Sequence, residues 1–127
     1  MGTDTLRALV ADGQALTRWA LASVLEAERF TVVTATNREE MFGHLLGNAF
    51  ALVVASCELG HADVSDLIDR VCEYQPDTAM IVLCPGHLTP IDHRRGHEIT
   101  VLTKPFDTAA IAQIARRVHD RHPEVLQ

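Results

Sequence analysis

Five short apolar runs, separated by longer stretches of helical periodicity, narrow what this chain can become more than any other feature. The runs are Leu6–Ala11 (LRALVA), Phe30–Thr34 (FTVVT), Phe50–Ala55 (FALVVA), Ala79–Cys84 (AMIVLC) and Ile99–Leu102 (ITVL). Each is rich in Val, Leu or Ile, as strands buried on both faces require. Between them, apolar residues recur every three or four positions. One stripe holds Leu16, Ala20, Leu21, Val24 and Leu25, and a second holds Met41, Phe42, Leu45 and Leu46. A third holds Val64, Leu67, Ile68, Val71 and Cys72, and a fourth Ile111, Ile114, Ala115 and Val118. Asn37 ahead of Glu39 and Glu40, and Asp107 two residues after Pro105, are helix starts. Strict alternation of strand and helix predicts an α/β fold: a flavodoxin-like, doubly wound, five-stranded parallel sheet in the order 2-1-3-4-5 with about five helices. The segment GHLTPIDHRRGHE, where the fourth helix belongs, carries a Pro, two Gly and few apolar residues. It is expected to be short or irregular.

At 127 residues the chain is expected to form one domain over 1–127, with 1–4 and 121–127 as frayed tails. A hydrophobic fraction of 47% and a charged fraction of 22% are those of a globular protein and exclude intrinsic disorder. A formal charge of −6 argues against nucleic acid as a direct partner, because phosphate binding draws on clustered Lys and Arg. No apolar run approaches the ~18–20 residues that cross a bilayer, and no leader opens the chain, so a soluble, cytoplasmic protein with no membrane contact is expected. Cys57, Cys72 and Cys84 have no Cys-x-x-Cys spacing and sit in or beside apolar stretches. They are expected to be small buried hydrophobes in a reducing compartment, with a redox role as the alternative.

In an open α/β sheet, ligands bind outside the carboxyl ends of the strands, near the point where strand order reverses. Those ends carry Asp12 and Gly13, then Ser56, Cys57 and Glu58, then Cys84, and finally Lys104, the only lysine of the chain. One carboxylate, one hydroxyl, one thiol and one ammonium should meet there.

These same residues carry a family resemblance that spans essentially the whole chain. LVADGQALTRWAL resembles the LVxDDxxLxRxxL opening of response-regulator receiver domains in two-component signalling, the chemotaxis-regulator-like fold. FALVVASCELGHADV resembles the strand that bears the phosphoacceptor, and MIVLC followed by LTKPF resembles VIVLT followed by LTKPF. The resemblance implies a phosphorelay module, often joined to a transcription-regulating output domain. It also shows where this chain departs from the pattern. Asp12 matches the first of two adjacent acids, but Gly13 stands at the second. The phosphoacceptor-equivalent position is Ser56, and the switch-equivalent positions are Cys84 and Val101. Glu58 stands where the family offers a backbone carbonyl to Mg²⁺, Gly60, His61 and Val64 alter the following loop, and only Lys104 with Pro105 matches fully.

The implied pocket is therefore degenerate: Asp12, Gly13, Ser56, Glu58, Cys84 and Lys104. Phosphoryl transfer relies on a metal to neutralise developing charge, and Mg²⁺ is recruited by carboxylates. With two carboxylates lost, Mg²⁺ binding is expected to be weak or absent, with no other cofactor. A serine without an activating base is a poor nucleophile, so no catalytic residue is assigned and no enzyme activity is expected. The leading expectation is an atypical receiver that acts as a protein-interaction or dimerisation module without Asp phosphorylation. Its partner would be another protein or a second copy, met through the fourth helical segment, the fifth strand and the last helix. The alternatives are a conventional phosphorylatable receiver, and a small-molecule or metal-binding module using the strand-end cleft or His87, His93 and His97. Lys104 is expected to tie the fifth strand to Asp12, Trp19 to lie in the core, with the sheet's flank or a subunit contact as alternatives, and His119 and His122 to lie at the surface.

Overall fold

The computed structural model describes residues 5–59, 64–86 and 98–122. Strands form at Leu6–Ala11 (β1), Phe30–Ala35 (β2), Leu52–Ser56 (β3), Ala79–Pro85 (β4) and Ile99–Lys104 (β5). Helices form at Ala15–Ala27 (α1), Arg38–Gly47 (α2), Val64–Tyr74 (α3) and Thr108–Asp120 (α4). The sheet is parallel, in the order β2-β1-β3-β4-β5, as the alternation predicts. Four helices are seen among the described residues. The weak helical segment falls almost wholly within residues 87–97, outside them, as do His87, His93 and His97.

Two apolar layers hold the sheet. On one face Met41 and Leu45 of α2 and Leu67, Ile68 and Val71 of α3 pack on Leu9, Val53, Met80 and Val82. On the other, Leu21 and Leu25 of α1 and Ile111, Ile114, Ala115 and Val118 of α4 pack on Ala8, Val10, Leu52, Val54 and Ile81. All of β3 is buried, and β4 is buried up to Pro85. The edge strands differ from expectation. Neither β2 nor β5 is buried throughout, and Val101 of β5 is exposed. An edge strand has one neighbour and less helix over it, so an apolar run there need not be covered on both faces.

Trp19 is also misplaced by the sequence pattern. It is 70% exposed, and Leu16 beside it is 81% exposed. A 3.6-residue period sets both roughly half a turn away from Leu21 and Leu25, the two residues α1 buries fully. Leu46 is exposed for the same reason, standing off the line of Met41 and Leu45.

Local chemistry fixes where these helices begin and end. Asn37 caps α2 by accepting the Glu40 N–H at 2.8 Å, and Glu40 reaches back to accept the Thr36 N–H at 2.8 Å. That contact holds the Glu40 carboxyl below its ordinary value. Asp107 caps α4 by accepting the Ala109 N–H at 2.9 Å. At the end of α1 the chain turns through Arg29, whose φ of 71° is left-handed. Just past α4, Arg121 and His122 donate their N–H groups to the Val118 and His119 carbonyls. His119 is half-buried rather than on the surface. Its ring lies 4.6 Å from that of Phe30, and its Nε2 is buried without a partner.

Candidate functional site

Asp12 follows β1 directly and is only 2% exposed. Its N–H donates to the Ala35 carbonyl at the end of β2, at 3.2 Å. Its Oδ1 accepts the Gln14 N–H at 2.8 Å, turning the chain into α1, and its backbone carbonyl accepts from Arg18 Nη1 at 2.8 Å. The remaining oxygen, Oδ2, accepts from Lys104 Nζ at 3.0 Å.

Lys104 closes β5, which pairs only with β4, so its side chain reaches across the strand ends to arrive at Asp12. The same ammonium donates to Ser56 Oγ at 3.3 Å. Ser56 ends β3, is buried, and its Oγ also accepts the Glu58 N–H at 3.2 Å. Glu58 Oε1 lies 3.6 Å from Nζ, but that carboxylate is 55% exposed. An exposed pair contributes at most about 1 kcal/mol, whereas a buried carboxylate deprived of its cation costs several times that. Asp12 therefore dominates what holds the ammonium in place.

Asp12, Ser56, Glu58 and Lys104 thus converge as the strand ends predicted. Gly13 sits exposed on the rim, and a Cβ there would meet only the Thr36 carbonyl oxygen, at 3.9 Å. Cys84 lies beneath this group rather than in its hydrogen-bond network, and Val101 stands apart from it. Val101 faces outward on β5, while Cys84 is buried in the layer beneath α2 and α3. Cys57 is its neighbour there. Burial and the hydrogen-bonding contact with Cys57 push the Cys84 thiol up to about 12, against a smaller lowering by Lys104. Among the described residues, no three of His, Cys, Asp and Glu come together as a metal-binding group would require. None of the helices among them is long and apolar enough to cross a membrane.

Two contributions were not assigned beforehand. Arg18 anchors the Asp12 carbonyl; the family-like opening LVADGQALTRWAL includes it but gave it no role. Cys57 and Cys84 are 27 residues apart in sequence, and only strand register brings them side by side.

Comparison with solved structures places this architecture. A response regulator from Burkholderia pseudomallei, solved with a phosphorylated aspartic acid, calcium ion and citrate, is 22% identical; the match covers 93% of this chain and 73% of that one at a TM-score of 0.69. A CheY-like response regulator receiver domain protein from Methanospirillum hungatei is 15% identical over 95% of this chain and 99% of that one, at 0.75. A response regulator from Thermotoga maritima is 24% identical over 92% and 99%, at 0.73. This chain has the receiver-domain fold. No model of a known protein family matches the sequence, and no curated protein matches it. The receiver-like layout puts Asp12, Ser56 and Lys104 at the carboxyl edge of β1, β3 and β5, where an open sheet of this type presents its site.

Proposed function

We propose that this is an atypical receiver domain of two-component-type signal transduction, a protein-interaction or dimerisation module that works without Asp phosphorylation. One observation carries the reading. The Lys104 ammonium is bonded to Asp12 and Ser56; a hydroxyl stands at the phosphoacceptor-equivalent position, and the one buried acid among the described residues is already paired with a cation. Asp12 spends one oxygen on the Gln14 N–H and the other on Lys104. Gly13 supplies no side-chain oxygen at all. Mg²⁺ sheds its water reluctantly and needs carboxylate oxygens to do so. The residues present do not fit it.

Ser56 Oγ is no better placed as a nucleophile in its own right. It accepts the Glu58 N–H and meets an ammonium, and neither group can take its proton. The pocket residues Asp12, Gly13, Ser56, Glu58, Cys84 and Lys104 act here as structure, and the signal passes through contact with a protein partner or a second copy. The net negative charge supports a partner that is not a nucleic acid.

The test is incubation with acetyl phosphate and Mg²⁺, read by intact mass, beside a calorimetric Mg²⁺ titration. The expected result is an unchanged mass and no saturable Mg²⁺ binding at millimolar concentration. A Mg²⁺-dependent gain of one phosphoryl group would establish a conventional receiver instead.

A further inference from the structure

We propose that Cys57 and Cys84 form a reversible disulfide between the ends of β3 and β4, making the floor of the strand-end site a place of covalent modification. Strand register carries the argument. Ser56 pairs with Leu83 in the parallel ladder, and the Cys57 N–H donates to the Leu83 carbonyl at 2.9 Å, which extends the pairing by one rung. Cys57 is thereby set directly opposite Cys84. Pairing stops there because Pro85, next in β4, has no N–H to give.

Adjacent strands lie about 4.8 Å apart, within the ~4.4–6.8 Å between Cα atoms that a disulfide spans. Both side chains enter the same apolar layer, so they point to the same face of the sheet. Both residues are thiols in this structure.

The two cysteines are not equivalent. Cys84 is 1% exposed, whereas Cys57 is 9% exposed and lies in the turn that carries Ser56 and Glu58. A small organic disulfide therefore meets Cys57 first. The Cys57 thiolate attacks one sulfur of that reagent, forming a mixed disulfide and releasing one thiol. The Cys84 sulfur then attacks the Cys57 sulfur, its proton leaves, and the second thiol departs. Two protein S–H bonds are lost, one S–S bond is gained, and the reagent's disulfide is reduced to two thiols. Because Cys84 holds its proton so firmly, the closing step is slow at neutral pH and quickens as pH rises. Closure would fasten the Ser56–Glu58 turn to β4, immediately beside Lys104.

The experiment uses the whole folded chain with excess oxidised glutathione, followed by denaturation, alkylation of remaining thiols and peptide mapping. The three thiols should fall to one, the survivor being Cys72, with the mass lowered by two hydrogens and a Cys57–Cys84 linked peptide recovered. Reductant should restore all three. The Cys72→Ala chain should close the same bond, and Cys84→Ser should stop at a glutathione adduct on Cys57. A stable adduct on Cys57 of the unsubstituted chain, a link involving Cys72, a link between chains, or three unreacted thiols would each overturn the proposal.

Discussion

Lys104 must serve three oxygens with one ammonium, and the burial of those oxygens decides which of them matters. Asp12, at 2% exposure, cannot turn to water if the cation is removed, whereas Glu58 can. Lys104→Met should therefore destabilise the fold by about 2–4 kcal/mol in denaturant titration. Glu58→Gln should cost under ~1 kcal/mol. Adding Asp12→Asn to Lys104→Met should return part of the loss, since no buried charge is then left unpaired. A loss equal to that of Glu58→Gln would mean that the ammonium is a solvated bystander. Cys84 is governed by the same low dielectric with the opposite sign. Its folded-state value is raised from 9.0 to about 12, so the folded chain keeps a proton that the unfolded chain releases. The stability this confers is complete below pH 9 and is lost as pH rises from 9.0 to about 12. Stability measured across that window should fall less steeply in Cys84→Ala than in the unsubstituted chain.

Elements were legible to the extent that neighbours impose the same demand as the local pattern. β1, β3 and β4 match their apolar runs closely because each is covered on both faces and nothing else competes. β5 has the same kind of sequence but an edge position, and which runs become edges is set by pairing order rather than by composition. In α1 the apolar residues are too many to choose a face. Leu16 and Trp19 mimic the periodicity of a buried stripe, while the sheet selects Leu21 and Leu25. The strand-end site was legible because topology alone puts Asp12, Ser56 and Lys104 together. Cys84 was assigned to that site from the same topology as well as from resemblance, yet it is buried in the layer below, beside Cys57. The turn that ends α1 was silent in sequence, since Arg29 gives no hint of a left-handed conformation. Arginine there is held at a cost that glycine would avoid. Arg29→Gly should stabilise the chain by roughly 0.5–1 kcal/mol, the relief of strain being partly offset by the freer unfolded state. Equal or lower stability in thermal unfolding would mean that the Arg29 side chain contributes more than its backbone costs.

At the scale of the whole molecule, the scaffold and the chemistry separate. Two apolar layers and five paired strands make up most of what holds the fold, and a site of this kind is grafted on a fold rather than dictated by it. The fold should therefore accept the acids that this sequence lacks. Gly13 has room for a side chain, since a Cβ would stand 3.9 Å from its nearest neighbour, the Thr36 carbonyl oxygen. Ser56 already faces an ammonium and a donated N–H, which are partners a carboxylate can use. Gly13→Asp combined with Ser56→Asp should crowd carboxylates around one lysine, lowering the melting temperature without metal through like-charge repulsion. Mg²⁺ should then reverse that loss. A ligand that binds only the folded state at about 100 times its Kd contributes about 2.7 kcal/mol, equivalent to several degrees in a domain of this size. The doubly substituted chain should accordingly melt higher as Mg²⁺ is raised to millimolar levels, while the unsubstituted chain stays flat. Parallel responses in the two chains would mean that the ends of β1 and β3 do not present their side chains to a common point, and the receiver reading of the cleft would fall with them.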